Sequence, residues 1–408
     1  MRASLPSVPV ILSIALLARL LWAGAVPMVL YSDPAAYDAL ARNLAAHGIY
    51  GWDTETATAF WAVGAAAFYG AAYAVAGPSA AVVATLNIAL SLAIVWLTIA
   101  VISDWFGPRT GRLAGLFVAL WPALIQFVTF PNSELLFTAL LLAALWAWGR
   151  AGATVSRGAF TGLLLGAATL VRPIALLVPV VLAIAPRPMA EPSSPRLVAR
   201  STAALLAFLC IGLVVAPWSL RNQAVFGELV IVSTNFGPNL WMGNNPETTG
   251  RYQPLPEDTA QMDEITRDAH LRSEAVAYIR SDPAAFAKRF VTKIGYLFSR
   301  ETTGVTWNAR GLTTRYGPGV VAPLKAISTA YWYAMLALAG LGVVRLIRQR
   351  GALPVFISIP VALIGYFAAV HGVIFVSDRF HLPLNPLVAG LAAFALLGPR
   401  TPAMPRPG

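Results

Sequence analysis

The sequence predicts an all-α protein that crosses a membrane many times. Of its 408 residues, 58% are hydrophobic and only 12% are charged, whereas soluble domains carry about 25% charged residues. Apolar runs such as 9–30, 80–102 and 353–375 approach or exceed the roughly 20 residues that a membrane helix needs. A chain of this composition has too few polar side chains to cover a water-soluble globule.

The net charge of +11 predicts orientation in the membrane, and we expect no nucleic-acid partner. The excess cations lie in short loops, which we expect in the cytoplasm because loops rich in Lys and Arg stay there. Besides Arg2, these loops carry Arg109 and Arg112; Arg150 and Arg157; Arg187, Arg196 and Arg200; Arg345, Arg348 and Arg350; and Arg400 and Arg406. The single cysteine, Cys210, rules out an intrachain disulfide.

Keeping these loops on one side constrains the number of crossings. Three apolar segments precede Arg109, although an even number of crossings is required there. We expect the segment 58–76 not to span, because it is rich in Ala and Gly and leaves almost no loop before the next helix.

Arg172-Pro173 divides the stretch 158–186 into two short helices, which predicts a hairpin with Arg172 at its outer tip. The first apolar segment is too long for a typical signal peptide, so we treat it as a retained helix. The expected total is roughly ten transmembrane helices plus interfacial helices, with both termini in the cytoplasm.

We expect three regions along the chain. Residues 1–217 form an N-terminal transmembrane module that includes a first outer loop, 31–76. Residues 218–319 form a large extracytoplasmic loop with amphipathic helices, and residues 320–408 form the C-terminal transmembrane helices.

The large loop contains a predicted amphipathic helix. Asp282 followed by Pro283 is a favourable helix start, since the acidic side chain caps and Pro fits the first turn. Apolar side chains then fall on one helical face: Phe286, Phe290, Ile294, Leu297 and Phe298. This pattern predicts a helix that lies on the membrane surface.

The remaining ionisable side chains concentrate at the predicted outer ends of the helices. Those that directly follow predicted crossings or tip the hairpin are Asp33, Asp38, Glu134, Arg172, Arg221, Asp378 and Arg379. Ionisable groups at membrane depth are costly and indicate a functional site, so we expect them to share one cavity. Purely structural roles are the alternatives: capping for Asp33 and Glu134, snorkelling for Arg172, a Trp–Arg pair for Arg221 and pairing with Asp378 for Arg379.

A Gly- and Asn-rich stretch in the large loop supplies candidate sugar contacts. It contains Asn239, Trp241, Asn244 and Asn245, and His381 near the C-terminus is a further candidate. Turn geometry explains the Asn residues equally well, because Asn tolerates left-handed backbone conformations. The four histidines show no metal-ligand spacing, and a divalent cation at Asp33 and Glu134 stays an open alternative.

Five stretches, in the same order, resemble glycosyltransferase family 39, the protein O-mannosyltransferase and aminoarabinose-transferase group of the C-type superfamily. They are 31–44, 131–137, 170–173, 217–222 with 237–246, and 378–383. The resemblance covers nearly the whole chain and implies the C-type glycosyltransferase fold. The chain departs from the group at 58–64, where prolines are usual, and at Phe380, where Tyr is frequent.

The resemblance implies an inverting glycosyltransferase that moves a sugar from a polyprenyl-phosphate donor to an acceptor hydroxyl. Asp33 would be the general base, and Arg172, Arg221 and Arg379 would bind the donor phosphate. Glu134 and Asp38 would position the acceptor or a cation. The acceptor would be a lipid, a glycan or a protein, on the extracytoplasmic side of a cell membrane, with a bacterial cytoplasmic membrane expected.

Two other functions fit a polytopic chain. A transporter or lipid flippase would need polar or broken helices near the bilayer midplane, whereas the polar groups here lie at the predicted helix ends. An O-antigen-type ligase or polymerase also uses a large late outer loop. It takes a diphosphate-linked donor, so donor preference separates the two transferases.

Overall fold

The computed structural model describes residues 5–150, 154–189 and 194–398. Arg2, Arg400, Arg406 and the side chain of Arg196 lie outside the described part. The first half contains α1 (Val8–Ala25), α2 (Ser32–His47), α3 (Gly64–Ala76), α4 (Ala80–Phe106), α5 (Pro108–Ala119), α6 (Pro122–Gln126), α7 (Glu134–Arg150), α8 (Thr154–Val171) and α9 (Val178–Ile184).

The second half contains α10 (Ser194–Phe226), α11 (Phe236–Gly243), α12 (Glu264–Ser281), α13 (Pro283–Phe298), α14 (Thr303–Tyr316), α15 (Val321–Arg350), α16 (Ala352–Phe356), α17 (Ile359–Val373) and α18 (Asn385–Leu397). Short 3₁₀ helices occur at Phe127–Thr129, Pro173–Leu177, Glu257–Thr259, Pro318–Val320 and Asp378–Leu384. Every regular element in the described ranges is therefore a helix, which agrees with the predicted class.

Six described helices are long and apolar enough to cross a membrane, or seven if the bent pair of α5 with 122–129 is one span. The sequence predicted roughly ten crossings, and the difference arises because the other apolar helices are short. α7 has 17 residues, α17 has 15 and α3 has 13. At 1.5 Å per residue α3 is about 20 Å long, shorter than the roughly 30 Å bilayer core, as expected for 58–76.

The predicted hairpin around Arg172 agrees with the structure. Arg172 contacts Glu134 at the start of α7, whereas Arg187 contacts Gly149 at its end and lies 3.2 Å from Asp104. The chain between the two arginines therefore returns along the whole of α7. Arg187 and Arg150, which ends α7, therefore lie at the end of the bundle opposite Arg172.

The predicted region boundary at 217 falls inside α10. This helix has 33 residues and continues through Pro217 to Phe226. A proline removes one backbone hydrogen bond, which a helix of this length tolerates. The first two predicted regions are therefore joined by a continuous helix.

The predicted amphipathic helix is present as α13. The Asp282 carboxylate accepts a hydrogen bond from the Ala285 N–H at 2.8 Å and so caps the helix. The ring of Phe290 packs directly against Gly372 of α17, and Leu297 is fully buried. The apolar face of α13 is therefore covered in large part by the helix bundle.

Small residues allow α8 and α10 to pack closely. A Cβ atom on Gly158 would lie 2.6 Å from the Ala203 carbonyl, and one on Gly162 would lie 2.5 Å from the Ala207 carbonyl. Glycines four residues apart on one helix face permit such backbone contact in membrane helices. These contacts hold the first half of α8 against α10.

Arg19 is a buried cation in the middle of α1 that the sequence analysis missed. Its guanidinium donates to Ser91 Oγ at 2.6 Å and to the carbonyls of Val118 and Ala119 at 3.3 and 2.8 Å. These carbonyls end α5 at the break before α6, where the regular helical hydrogen bonding is interrupted. A cation at a helix C-terminus is favourable, so Arg19 stabilises this break.

Candidate functional site

A cavity of about 880 Å³ opens at the end of the bundle where Arg172 lies. Its walls come from the start of α2, the segment 60–62, the start of α7, the segments 171–177 and 228–236, and parts of α11, α12 and α17. Four of the predicted ionisable side chains line it: Asp33, Glu134, Arg172 and Arg379. The expectation of one shared cavity therefore holds for these four.

The four charged groups form one connected cluster. Arg379 Nη2 lies 2.5 Å from Asp33 Oδ2, and Arg379 Nε lies 3.8 Å from Glu134 Oε1. Arg172 Nη1 lies 2.9 Å from the same Glu134 oxygen. Glu134 is 1% exposed, so its carboxylate orients both guanidinium groups from within the protein. Two carboxylates and two guanidinium groups balance in charge.

Neither acidic residue is used as a helix cap. Asp33 lies in the first turn of α2, but its carboxylate pairs with Arg379 instead of the α2 backbone. At the start of α7 the capping side chain is Asn132, whose Oδ1 accepts the Leu135 N–H at 2.9 Å. The capping alternatives for Asp33 and Glu134 are therefore not what the structure contains.

Arg379 is held by aromatic rings as well as by carboxylates. Its guanidinium lies 4.6 Å from the centroid of Trp307 and 5.2 Å from that of Phe380. The neighbouring Asp378 does not pair with it, because that carboxylate accepts the N–H and the hydroxyl of Thr302 at 2.7 Å each. Arg379 is thus directed to the cavity, and Asp378 anchors its backbone.

Asp38 is a correction to the predicted site. Its carboxylate accepts the Tyr73 hydroxyl at 2.7 Å and pairs with Arg42 Nε at 2.5 Å. It is not among the residues that line the cavity. Asp38 follows Asp33 by five residues, about 1.4 helical turns, and the resulting offset of about 140° directs it towards α3.

Arg221 is a second correction. It donates to the Thr58 carbonyl at 2.9 Å and the Tyr50 carbonyl at 3.3 Å, and its guanidinium lies 4.7 Å from the Trp218 ring. It does not line the cavity. The predicted Trp–Arg pair is therefore present, and the cation fixes the backbone behind the cavity wall.

Of the four predicted sugar contacts in the Gly- and Asn-rich stretch, Asn239 lines the cavity and the other three do not. Asn244 Nδ2 donates to the Leu240 and Val373 carbonyls at 2.9 and 2.7 Å. Asn245 Nδ2 donates to the Trp241 carbonyl at 2.8 Å.

The two asparagines at the end of this stretch therefore serve turn geometry. Trp241 packs in a small apolar cluster with Met242 and Phe375. Its ring is covered by protein on that side, so the predicted sugar contact is not supported for Trp241, Asn244 or Asn245.

His381 is buried away from the cavity. Its ring stacks 4.0 Å from Trp332, its Nδ1 lies 2.7 Å from the Leu297 carbonyl, and its Nε2 lies 3.3 Å from Glu301 Oε1. His381 therefore joins α13, α15 and the last 3₁₀ helix. The predicted role as a sugar contact does not fit this position.

The cavity contains polar residues that the sequence analysis did not single out. Tyr37 lies one turn after Asp33, and burial together with the nearby Glu134 raises the pKa of its phenol to about 12. Asp268 of α12 accepts the Gly237 N–H at 2.6 Å, and burial raises the pKa of this carboxyl. Helical spacing from Asp33 was the available signal for Tyr37, whereas no local pattern indicated Asp268.

The cluster does not resemble a metal site. Within the described residues, no three His, Cys, Asp or Glu side chains come together as metal ligands. Asp33 and Glu134, the predicted pair, are each engaged by guanidinium groups. The donor set of this ion-paired cluster therefore does not fit a divalent cation.

Fold and site together define a polytopic helical membrane protein with a charged cavity at one end of its helix bundle. No protein-family model matches the sequence, and no curated protein matches it. Several solved structures share its fold.

The oligosaccharyltransferase of Archaeoglobus fulgidus in complex with Zn and sulfate has a TM-score of 0.53 at 16% identity, over 94% of this chain and 48% of that chain. Its apo form has a TM-score of 0.54 at 12% identity, over 95% and 50%. ArnT of Cupriavidus metallidurans bound to undecaprenyl phosphate has a TM-score of 0.45 at 14% identity, over 93% and 77%.

The chain thus spans about half the length of the oligosaccharyltransferase that it matches. At these identities the likeness concerns the fold alone. The helical architecture and the likeness to the oligosaccharyltransferase agree with the predicted C-type glycosyltransferase fold.

Proposed function

We propose that this protein is an inverting glycosyltransferase that moves a sugar from a polyprenyl-phosphate donor to an acceptor hydroxyl. The observation that carries the proposal is the cluster of Asp33 with Arg172 and Arg379 around Glu134 at the cavity. It brings a candidate base next to two candidate phosphate ligands. The order of the five stretches that resemble glycosyltransferase family 39 supports the same activity.

Asp33 would act as the general base. Its Oδ2 is held by Arg379, and its Oδ1 has only a 3.4 Å contact with Ser32. Oδ1 would accept the proton of the acceptor hydroxyl as the acceptor oxygen attacks the anomeric carbon. A positioned base typically contributes about 10²–10⁴-fold to the rate.

Arg172 and Arg379 would bind the donor phosphate. As the new glycosidic bond forms, the bond between the anomeric carbon and the phosphate oxygen breaks, and polyprenyl phosphate leaves with the bonding electrons. Guanidinium groups bind phosphate oxygens in pairs and stabilise the charge that develops there. A single displacement of this kind inverts the anomeric configuration. Glu134 would be a positioning residue that holds the two cations.

The wall of the cavity suits a lipid donor. Leu177, Leu229 and Ile231 line the cavity and are 50%, 66% and 54% exposed. Apolar side chains that are both lining and exposed provide a surface that is compatible with a hydrocarbon chain. The fold neighbour from Archaeoglobus fulgidus was also solved with a dolichol-phosphate, which supports a lipid-phosphate ligand for this fold.

The cavity would face the extracytoplasmic side of a bacterial cytoplasmic membrane. Arg150 and Arg187 lie at the end of α7 opposite Arg172, and loops rich in Arg stay in the cytoplasm. Nucleotide sugars are made in the cytoplasm, so an outward-facing transferase needs a membrane-borne donor. The acceptor would be a lipid, a glycan or a protein.

The test is incubation of the purified protein in lipid nanodiscs with a panel of polyprenyl-phosphate sugars and candidate acceptors. Release of polyprenyl phosphate and an inverted anomeric centre in the product are expected. Turnover of diphosphate-linked donors only would indicate an oligosaccharyltransferase or ligase instead. Transbilayer movement of the lipid without any covalent product would indicate a flippase and contradict the proposal.

A further inference from the structure

An aromatic surface lies beside Asp33 in the cavity. Trp61 lines the cavity, and its ring centroid lies 4.8 Å from that of Tyr37 and 5.8 Å from that of Trp52. Tyr37 also lines the cavity and follows Asp33 by one helical turn. The surface formed by Tyr37 and Trp61 is therefore adjacent to the proposed base.

Polar contacts from three sides hold the backbone that carries Trp61. Glu264 of α12 accepts the Thr58 hydroxyl and the Ala59 N–H at 2.7 Å each. Arg221 donates to the Thr58 carbonyl, and the Tyr50 hydroxyl donates to the Trp61 carbonyl at 3.1 Å. This segment is where the chain departs from the proline-containing pattern of its family resemblance. These hydrogen bonds hold the segment that carries Trp61.

The Trp61 side chain itself has an unused polar group. Among the residues that the structure describes, no hydrogen bond engages its indole N–H. A buried indole usually finds a hydrogen-bond partner, so a half-buried, unpartnered one at a cavity is available to a ligand. The preorganised ring offers an apolar face and one donor, which are the groups that a sugar ring requires.

We propose that Trp61, supported by Tyr37, is a binding platform for a sugar ring. The C–H groups of the ring's apolar face would pack on the indole, and a ring hydroxyl would accept from the indole N–H. This inference rests on the proposed function, since it deepens the same site by assigning its sugar contact. The bound sugar ring belongs to the donor or to the acceptor, and separate measurements of donor and acceptor binding distinguish the two.

The test compares Trp61→Leu and Trp61→Phe with the control Trp52→Leu. Trp52 is 46% exposed, touches Trp61 from outside and does not line the cavity. Equilibrium binding is measured in nanodiscs for bare polyprenyl phosphate, for polyprenyl-phosphate sugars and for soluble methyl glycosides. Binding needs no turnover, so a failure of this inference is distinguishable from a failure of the proposed transferase activity.

If Trp61 binds the sugar of the donor, Trp61→Leu should lower the affinity for sugar-bearing lipids about tenfold relative to that for the bare lipid phosphate. If Trp61 binds the acceptor, the same variant should lower the affinity for the methyl glycosides and leave the affinity for both kinds of lipid unchanged. The affinity of Trp61→Phe should lie between those of Trp61→Leu and the unaltered protein. The affinity of Trp52→Leu should equal that of the unaltered protein. Equal affinity of Trp61→Leu and Trp52→Leu for every probe would overturn the inference. So would a folded, unaltered protein that binds no sugar-bearing probe.

Discussion

The Arg379 guanidinium lies 2.5 Å from the Asp33 carboxylate, which links the second helix of the chain to the last 3₁₀ helix. Arg379 side-chain exposure is 14% and that of Asp33 is 26%. The pair is thus shielded from bulk solvent but open to the cavity. It leaves one carboxylate oxygen without a cationic partner, which is the geometry that a general base requires.

Replacing Asp33 by Asn should lower transfer by about 10²–10⁴-fold, because the amide cannot accept the acceptor proton. The measurement is the initial rate of polyprenyl phosphate release. Asp258→Asn is the matched control, since Asp258 is exposed and does not line the cavity. An unchanged rate for Asp33→Asn would remove Asp33 as the base.

Replacing Arg172 by Lys should raise the KM for the donor about tenfold, because Lys keeps the charge but loses the planar fork. Arg348→Lys is the control, since Arg348 is exposed near the end of α15 and does not line the cavity. The KM for the acceptor should change little in either variant. A selective rise in the acceptor KM would instead assign Arg172 to the acceptor.

Replacing Arg221 by Gln should lower the melting temperature, because the Thr58 carbonyl loses its side-chain donor, whereas the Tyr50 carbonyl keeps the Thr58 N–H at 2.8 Å. An unsatisfied buried polar group costs about 1–3 kcal/mol. Affinity for bare polyprenyl phosphate should stay unchanged, since Arg221 does not line the cavity. Weaker lipid-phosphate binding at an unchanged melting temperature would instead indicate that Arg221 binds the donor phosphate, as the sequence predicted.

Lys293 predicts a dependence of stability on pH. Its Nζ donates to the carbonyls of Gly243 and Val373 at 3.1 and 2.9 Å, where α11 and α17 end. Burial, with Arg289 nearby, lowers the pKa of Lys293 from 10.5 to about 8. Between these values the unfolded chain binds more protons than the folded protein, so stability rises with pH there.

The cost of burying the Lys293 charge is therefore fully present below about pH 8 and declines towards pH 10.5. The melting temperature of the unaltered protein should rise relative to Lys293→Met over this range. Lys288→Met changes an exposed lysine on the same helix. Its melting temperature should vary with pH in the same way as that of the unaltered protein. A pH-independent difference between the unaltered protein and Lys293→Met would contradict the assignment.

The ion pairs of the site illustrate the limit of reading a sequence. Helix-end position and sparse charge were enough to select Asp33, Glu134, Arg172 and Arg379. The same signals selected Asp38 and Arg221, whose partners are Tyr73 and backbone carbonyls. Proximity to a helix end is a local property, whereas the direction of a side chain depends on its neighbours in space.

The sequence by itself determined the class of this protein, its helical architecture, the α13 cap at Asp282 and the hairpin at Arg172. These features follow from apolar length, charge distribution and the backbone chemistry of Asp and Pro, all of which act over a few residues. Only the tertiary structure decided that Glu134 joins two arginines and that Trp61 stands beside Asp33. These contacts connect residues far apart in the chain, and helix packing alone sets their geometry.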